Sequence, residues 1–410
     1  LSSKPYTDSL ARGIADEGLD VVVTGLGPSP QLYWALFNKN LGGGIQVTGS
    51  HNPQNMNGFK ICLGQDSLSG KQILDLKDRI FDIIDNDKPC SPNPGQIIEE
   101  DIREEYTNYL INNCKDFFGK RKLKIVVDAG NGVGGLVGPN VLRGLGAEVI
   151  ELFCEPDGNF PNHHPDPTVM ENLVDLIEKV KTEKADLGIA WDGDGDRIGV
   201  VDENGEVIFG DMLVLIYARS ILAQEPGATI IADVKCSSLL FDGIEKAGGQ
   251  AIMWKTGHSL VKAKLKETGG LLAGEMSGHI FFKHRYFGYD DAMYCSARIA
   301  EILSHTNKAF SSLLSDLPKT YSTPEIRRDC PEEVKFEIAE RAQKAFSDFT
   351  VKTIDGVRVE FENGWGLVRA SNTQPVLVLR FEATSKEDLN RYEQIVNQKI
   401  AEIEMELTSN

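Results

Sequence analysis

Apolar positions along this chain follow two rhythms. Short, nearly continuous runs (LDVVVT, LKIVVDAG, AEVIELF, ADLGIAW, ATIIADV, GQAIMW) alternate with stretches whose apolar residues recur every three or four positions. The first rhythm predicts strands buried on both faces and the second predicts amphipathic helices. Their alternation predicts mostly parallel sheets with helical crossovers. The pattern also repeats. A helix, a glycine break, a strand, a loop and helix, and a second strand ending in a polar turn occur three times. The copies run from ARGIADEGLDVVVTGLG to GGGIQVTGSHNP, from VLRGLGAEVIELF to ADLGIAWDGDGDR, and from GIEKAGGQAIMW to GGLLAGEMSGH. Their closing turns, Thr48 to Pro53, Asp192 to Arg197 and Gly274 to His279, come off equivalent strand ends. Open α/β sheets place ligands there.

The rhythm then changes. A helix (EVKFEIAERAQKAF), three closely connected strands (TIDGVRVEF, WGLVRA, PVLVLRFEA) and a long helix from Lys386 predict an antiparallel α+β domain. Breaks fall in the Pro-rich stretch 88–95 and between Ser315 and Asp329, with Pro318 and Pro324. The expected fold is three similar α/β domains with mixed or parallel sheets, then a C-terminal α+β domain with an antiparallel sheet, around a central cleft. The units are 1–97, 98–205, 206–316 and 317–410. Units two and three open with an extra strand and loop (KLKIVVDAGNGVGG, ATIIADVKCSS) that unit one lacks. Unit one is therefore expected to be N-terminally truncated, the remainder of a longer protein.

With 410 residues the chain needs several cores, at roughly 100–150 residues per domain. A net charge of −18 argues against a nucleic-acid partner and requires any phosphate site to be locally basic. No apolar run approaches the ~18 residues of a membrane span, so no membrane partner is expected. Seven cysteines without CxxC spacing read as reduced thiols of a cytoplasmic enzyme.

Three carboxylates at Asp192, Asp194 and Asp196, separated by glycines after an apolar strand, can fold around one hard cation; unpaired, they repel. An EF-hand would place Glu203 at loop position twelve, but Arg197 stands where that loop requires glycine. Arg197 is suited to stabilising transferring phosphoryl charge. Ser50, flanked by Gly49, His51 and Pro53, is a nucleophile-type serine or a plain polar turn, without a G-x-S-x-G elbow. Lys60, after Asn57-Gly58-Phe59, is either a cation brought back to the same loop or a solvated surface lysine. Glu275, Ser277 and His279 suit sugar hydroxyls or proton movement. Lys235, Gly257 and His258 follow strands at the same edge. Arg369, Ser371, Asn372 and Thr373 compose a phosphate clamp or a polar hairpin loop.

Together these motifs resemble the α-D-phosphohexomutase family over the whole chain. TGSHNP resembles its phosphoserine loop, DGDGDR its magnesium loop, GEMSGH its sugar-binding loop and RASNTQP its phosphate-binding loop. DGNFPNHHPDP, MWKTGHS and Glu-Met-Ser-Gly-His are more similar to the bacterial members acting on mannose and glucose phosphates than to phosphoglucosamine mutases. The resemblance implies a mutase interconverting hexose 1-phosphate and hexose 6-phosphate, of mannose and/or glucose, through phosphorylated Ser50. Glucose 1,6-bisphosphate or mannose 1,6-bisphosphate would be activator and intermediate. It implies Mg²⁺ held by Asp192, Asp194, Asp196 and the Ser50 phosphate, with Arg197 steadying charge. Glu275 and Ser277 would contact sugar hydroxyls, and Arg369, Ser371, Asn372 and Thr373 the non-reacting phosphate. His51, Lys60, Lys235, Gly257, His258 and His279 would line the crevice, with Lys60, His258 or His279 as general acid or base. A monomer is expected, with a dimer as the alternative. Two departures stand out: Gln374 replaces a threonine, and the family's first strand, with its Tyr- and Arg-bearing loop, is absent. The rival is a metal-dependent sugar-phosphate binder or phosphatase, which needs no phosphoserine.

Overall fold

A computed structural model describes residues 1–86, 90–372 and 374–408. Residues 88 and 89 of the expected Pro-rich break, and Thr373 of the expected clamp, lie outside them.

The second unit shows the repeated winding in full. Its central strand Lys124–Asp128 runs parallel between Glu148–Leu152 and Leu187–Trp191. Ile198–Asp202 and Val207–Ile208 extend the sheet antiparallel. Every residue of Leu187–Trp191 and Ile198–Asp202 is buried, because helices cover both faces; hence their unbroken apolar sequences. The third unit repeats the plan, with Thr229–Asp233 parallel between Gln250–Trp254 and Leu272–Gly274, and Ile280–Phe282 antiparallel at the edge.

The first unit divides. Val21–Val23 pairs in parallel with Ile97–Glu99, while Gly43–Thr48, Gly58–Leu63 and Asp66–Ser67 form a separate antiparallel sheet. Among the described residues no strand joins Val21–Val23 to Gly43–Thr48, the position held by Lys124–Asp128 and Thr229–Asp233 in the other units. Both flanking strands are only half-buried. Helix Lys71–Asp85 buries no residue at all, leaving Leu74, Phe81 and Ile84 exposed. Helix Ser29–Asn38, by contrast, is buried from Ser29 to Leu36. It inserts Phe37 against Phe287, rings stacked 4.8 Å apart, and Trp34 against Tyr106, joining the first unit to the other two.

The fourth domain is an antiparallel sheet around Val376–Ala383 and Gly364–Ala370, covered by helices Lys335–Ala345 and Lys386–Thr408 over its own core of Phe346, Leu377, Phe381 and Tyr392. The segment read from sequence as one strand, TIDGVRVEF, is strand only over Val357–Phe361; its first residues form the turn that follows another strand, Thr350–Lys352. Asp355-Gly356 turns the chain between them, with Gly356 at φ +72°. The domain docks on the third unit through Arg358, which donates to the Val234 and Cys236 carbonyls at 2.9 and 2.7 Å, and Arg380, which donates to the Lys235 carbonyl at 2.7 Å. No helix among the described residues is long and apolar enough to cross a membrane.

Candidate active site

Ser50 begins the turn after Gly43–Thr48 in the left-handed region, at φ 49°. Its amide donates to Thr48 Oγ1 at 2.8 Å, and its hydroxyl donates to Asp192 Oδ2 at 3.1 Å and lies 3.0 Å from His51 Nδ1. Burial and the nearby Arg197 charge push the His51 pKa down to about 3, so this imidazole is neutral. A Cβ on Gly193 would stand 2.2 Å from the Ser50 carbonyl oxygen; only glycine lets the two loops approach this closely.

The Asp192–Arg197 loop follows the buried strand Leu187–Trp191. Asp192, Asp194 and Asp196 are fully buried, with one oxygen of each within 4.8 Å of the others. Asp192 Oδ1 accepts the Asp196 and Arg197 amides, folding the loop over its own first carboxylate. Burial and the neighbouring Asp196 and Asp194 hold the Asp192 pKa well above the carboxylate range. Asp194 is equally buried, yet Lys60, Ser29 and Ser50 bring its pKa down. Lys60 Nζ is 2.6 Å from Asp194 Oδ2 and also pairs with Asp196. Burial alone would lower the Lys60 pKa, but Asp194 and Asp196 raise it well above the usual value. Ser29 Oγ and Thr48 Oγ1 donate to Asp194 Oδ2 at 2.6 and 3.1 Å. Asp194 Oδ1 and Asp196 Oδ1 have no hydrogen-bond partner. Oxygen-only donors, mutual repulsion and two orphaned buried carboxylate oxygens fit a hard divalent cation.

Arg197 joins this loop to the third unit. Its Nε donates to His279 Nε2 at 2.9 Å. Since arginine carries its proton throughout, His279 Nε2 is the acceptor in this pair, and its Nδ1 lies 3.0 Å from Asp290 Oδ2. Burial alone would raise the Asp290 pKa; Lys262, 3.3 Å from its other oxygen, and His279 hold it well below the usual range. The His258 ring stacks 5.9 Å from that of His279, and burial keeps His258 neutral.

Glu275, after Leu272–Gly274, accepts the Gly257 amide at 2.5 Å and the Ser277 hydroxyl at 3.3 Å. Burial raises its pKa. Lys235 lies 3.0 Å from Glu325 of the fourth domain. Arg369 is buried, and its Nε donates to Asp355 Oδ2 at 2.9 Å. Ser371 is buried and accepts the Gln374 amide at 3.2 Å, while Asn372 is exposed.

Family models of the phosphoglucomutase/phosphomannomutase α/β/α domains I, II and III match residues 1–88, 104–205 and 209–321, and that of the C-terminal domain matches 325–399. The chain belongs to this mutase family. It is 48% identical over 409 residues to a Pseudomonas putida phosphomannomutase/phosphoglucomutase, covering 99% of this chain and 87% of that one. A Neisseria meningitidis phosphoglucomutase is 46% identical over 411 residues, covering 98% and 86%. A crystal structure of a Burkholderia thailandensis phosphoglucomutase/phosphomannomutase family protein superposes with a TM-score of 0.89 at 43% identity, covering 98% of this chain and 86% of that one. The chain is thus a hexose-phosphate mutase, an isomerase, and the phosphatase alternative gives way.

In this mutase the sequence-derived residues of the first three units meet at adjoining strand ends. Sequence reading did not single out Ser29, Asp290, Lys262, Glu325 or Asp355. The Asp-Gly pair at 355–356 was a turn signal inside an apparent strand; the other four carry no local signal.

Proposed function

We propose that the mutase works through phosphorylated Ser50 and a hexose 1,6-bisphosphate of glucose or mannose, with unit boundaries at 97/98, 205/206 and 316/317. The observation that carries this reading is Ser50 Oγ at 3.1 Å from Asp192 within the three-carboxylate loop, beside the part-buried Arg197. In the first transfer a hydroxyl oxygen of the bound hexose phosphate attacks the phosphorus, the bond from phosphorus to Ser50 Oγ breaks, and the hydroxyl proton passes to a base. The bisphosphate then turns over in the site. Its other phosphoryl group returns to Ser50 Oγ, and the sugar oxygen left behind takes a proton.

Asp192, Asp194 and Asp196 would hold Mg²⁺ with an oxygen of the Ser50 phosphate, where it supplies Lewis-acid stabilisation of phosphoryl charge. Lys60, His258 or His279, which line the same crevice, would serve as general acid or base. Glu275 and Ser277 take sugar hydroxyls, and Arg369 and Ser371 grip the distal phosphate. Mass spectrometry before and after incubation with glucose 1,6-bisphosphate, with peptide mapping, tests the reading. One phosphoryl group on the peptide bearing Ser50, and loss of turnover in Ser50→Ala, are expected. Full activity of Ser50→Ala would sink it.

A further inference from the structure

The guanidinium of Arg369 is held from outside its own strand. The turn between Thr350–Lys352 and Val357–Phe361 lies directly on it. A Cβ on Gly356 would stand 2.7 Å from Arg369 Cα and 2.2 Å from the Val368 carbonyl oxygen. With glycine there, the preceding carboxylate reaches both sides of a domain boundary. Asp355 Oδ2 accepts Arg369 Nε at 2.9 Å and the Thr256 amide of the third unit at 3.1 Å. Thr256 is tied down in turn: its hydroxyl donates to Asp233 Oδ2 at 2.9 Å, and the next amide, Gly257, donates to Glu275 Oε1 at 2.5 Å. One hydrogen-bonded path thus runs from the sugar-loop carboxylate Glu275, along the 256–257 backbone, through Asp355 to Arg369.

We propose that Asp355 is a positioning residue for the mutase reaction. It sets the plane of the Arg369 guanidinium and locks that plane to the sugar loop. The hexose and its distal phosphate are then gripped at a fixed separation. The proposal rests on the reading that Arg369 binds phosphate. A guanidinium engages phosphate through a planar pair of donors, so a carboxylate on Nε decides where that edge points. Because the same oxygen bonds a backbone amide of another unit, Asp355 also couples the docking of the fourth domain to the orientation of the clamp. Sequence alone concealed this link, since Thr256 and Asp355 are 99 positions apart.

The test is a double-mutant cycle of Asp355→Ala and Arg369→Ala, reading KM, kcat and bisphosphate released per turnover, with melting curves to confirm folding. Asp355→Ala should raise KM for glucose 1-phosphate about ten-fold and increase bisphosphate release, with kcat falling less than KM rises. Adding it to Arg369→Ala should change KM no further, since Asp355 acts through that side chain. Asp355→Asn keeps an acceptor and the shape of the turn, so it should recover most of the KM; it also carries the same cycle if the alanine variant fails to fold. An unchanged KM in the folded Asp355 variant, or a double variant whose KM effects multiply in full, overturns the proposal. If Arg369→Ala itself keeps a normal KM, the phosphate-binding reading fails, a result distinct from any outcome of the Asp355 arm.

Discussion

The first and second units share one winding and are built to different standards. In the second, a central strand is paired on both sides and the strands leading to the aspartate loop are wholly buried. In the first, the sheet lies in two pieces, its strands are half-buried and helix Lys71–Asp85 buries nothing. Yet Ser50, carried by the looser unit, is as well oriented as Asp192. Its placement comes from its neighbour: the Gly193 backbone against its carbonyl, the Asp192 carboxylate on its hydroxyl, the His164 ring on the His51 carbonyl, and the Ser29 amide on the Asp194 carbonyl at 2.8 Å. Burial within a unit supplies stability; contact between units supplies geometry.

Stability should separate the units most. Ile189→Ala removes a fully buried side chain of the second unit and should cost about 2–5 kcal/mol, whereas Val47→Ala in the half-buried Ser50 strand should cost under about 1 kcal/mol. Urea unfolding of both variants checks this, and equal losses would break the comparison. Next comes geometry. Gly193→Ala forces a methyl group against the Ser50 carbonyl and should lower turnover about 100-fold while the melting temperature moves little, since misplacement by about 1 Å is enough. Wild-type kinetics from this variant would mean that Ser50 is positioned from within its own unit.

The smallest effect concerns the joint between units. Asp291 accepts the Tyr106 and Tyr286 hydroxyls at 2.7 and 2.6 Å beside the aromatic rings that receive helix Ser29–Asn38. Burial raises its pKa from 3.8 to about 6. A raised folded-state value gives stability that is full below pH 3.8 and lost as pH rises through about 6. Melting temperatures between pH 5 and 7 should therefore show a downward contribution of a few degrees that Asp291→Asn removes. Identical pH profiles for the two proteins would remove Asp291 from the joint.

Much of this was legible in the sequence because the informative residues are local. Asp192, Asp194 and Asp196 occupy one loop, and the buried strands announce themselves as apolar runs. The repeat also marked a strand position that the described residues of the first unit leave unfilled. What stayed hidden depends on approach between distant segments. Ser29 donates to Asp194 from 165 positions away, and nothing near Ser29 marks it as a partner of a carboxylate. Glu325 meets Lys235 only because the fourth domain docks there. Asp355-Gly356 was read through as strand because Thr353 and Ile354 before it and Val357 and Val359 after it are strand-favouring residues, and they outweighed the turn signal.

The clearance at Gly193 has a consequence for how such chains diverge. Where one copy of a repeated fold has become the gauge against which another is cut, the two stop being interchangeable parts. A hybrid made by exchanging only the first unit between relatives inherits a serine loop shaped to a different neighbour. One made by exchanging both units together keeps the fit. A seam after the second unit meets the same constraint, since a Cβ on Gly278 of the third unit would stand 2.4 Å from the Ile198 carbonyl oxygen of the second.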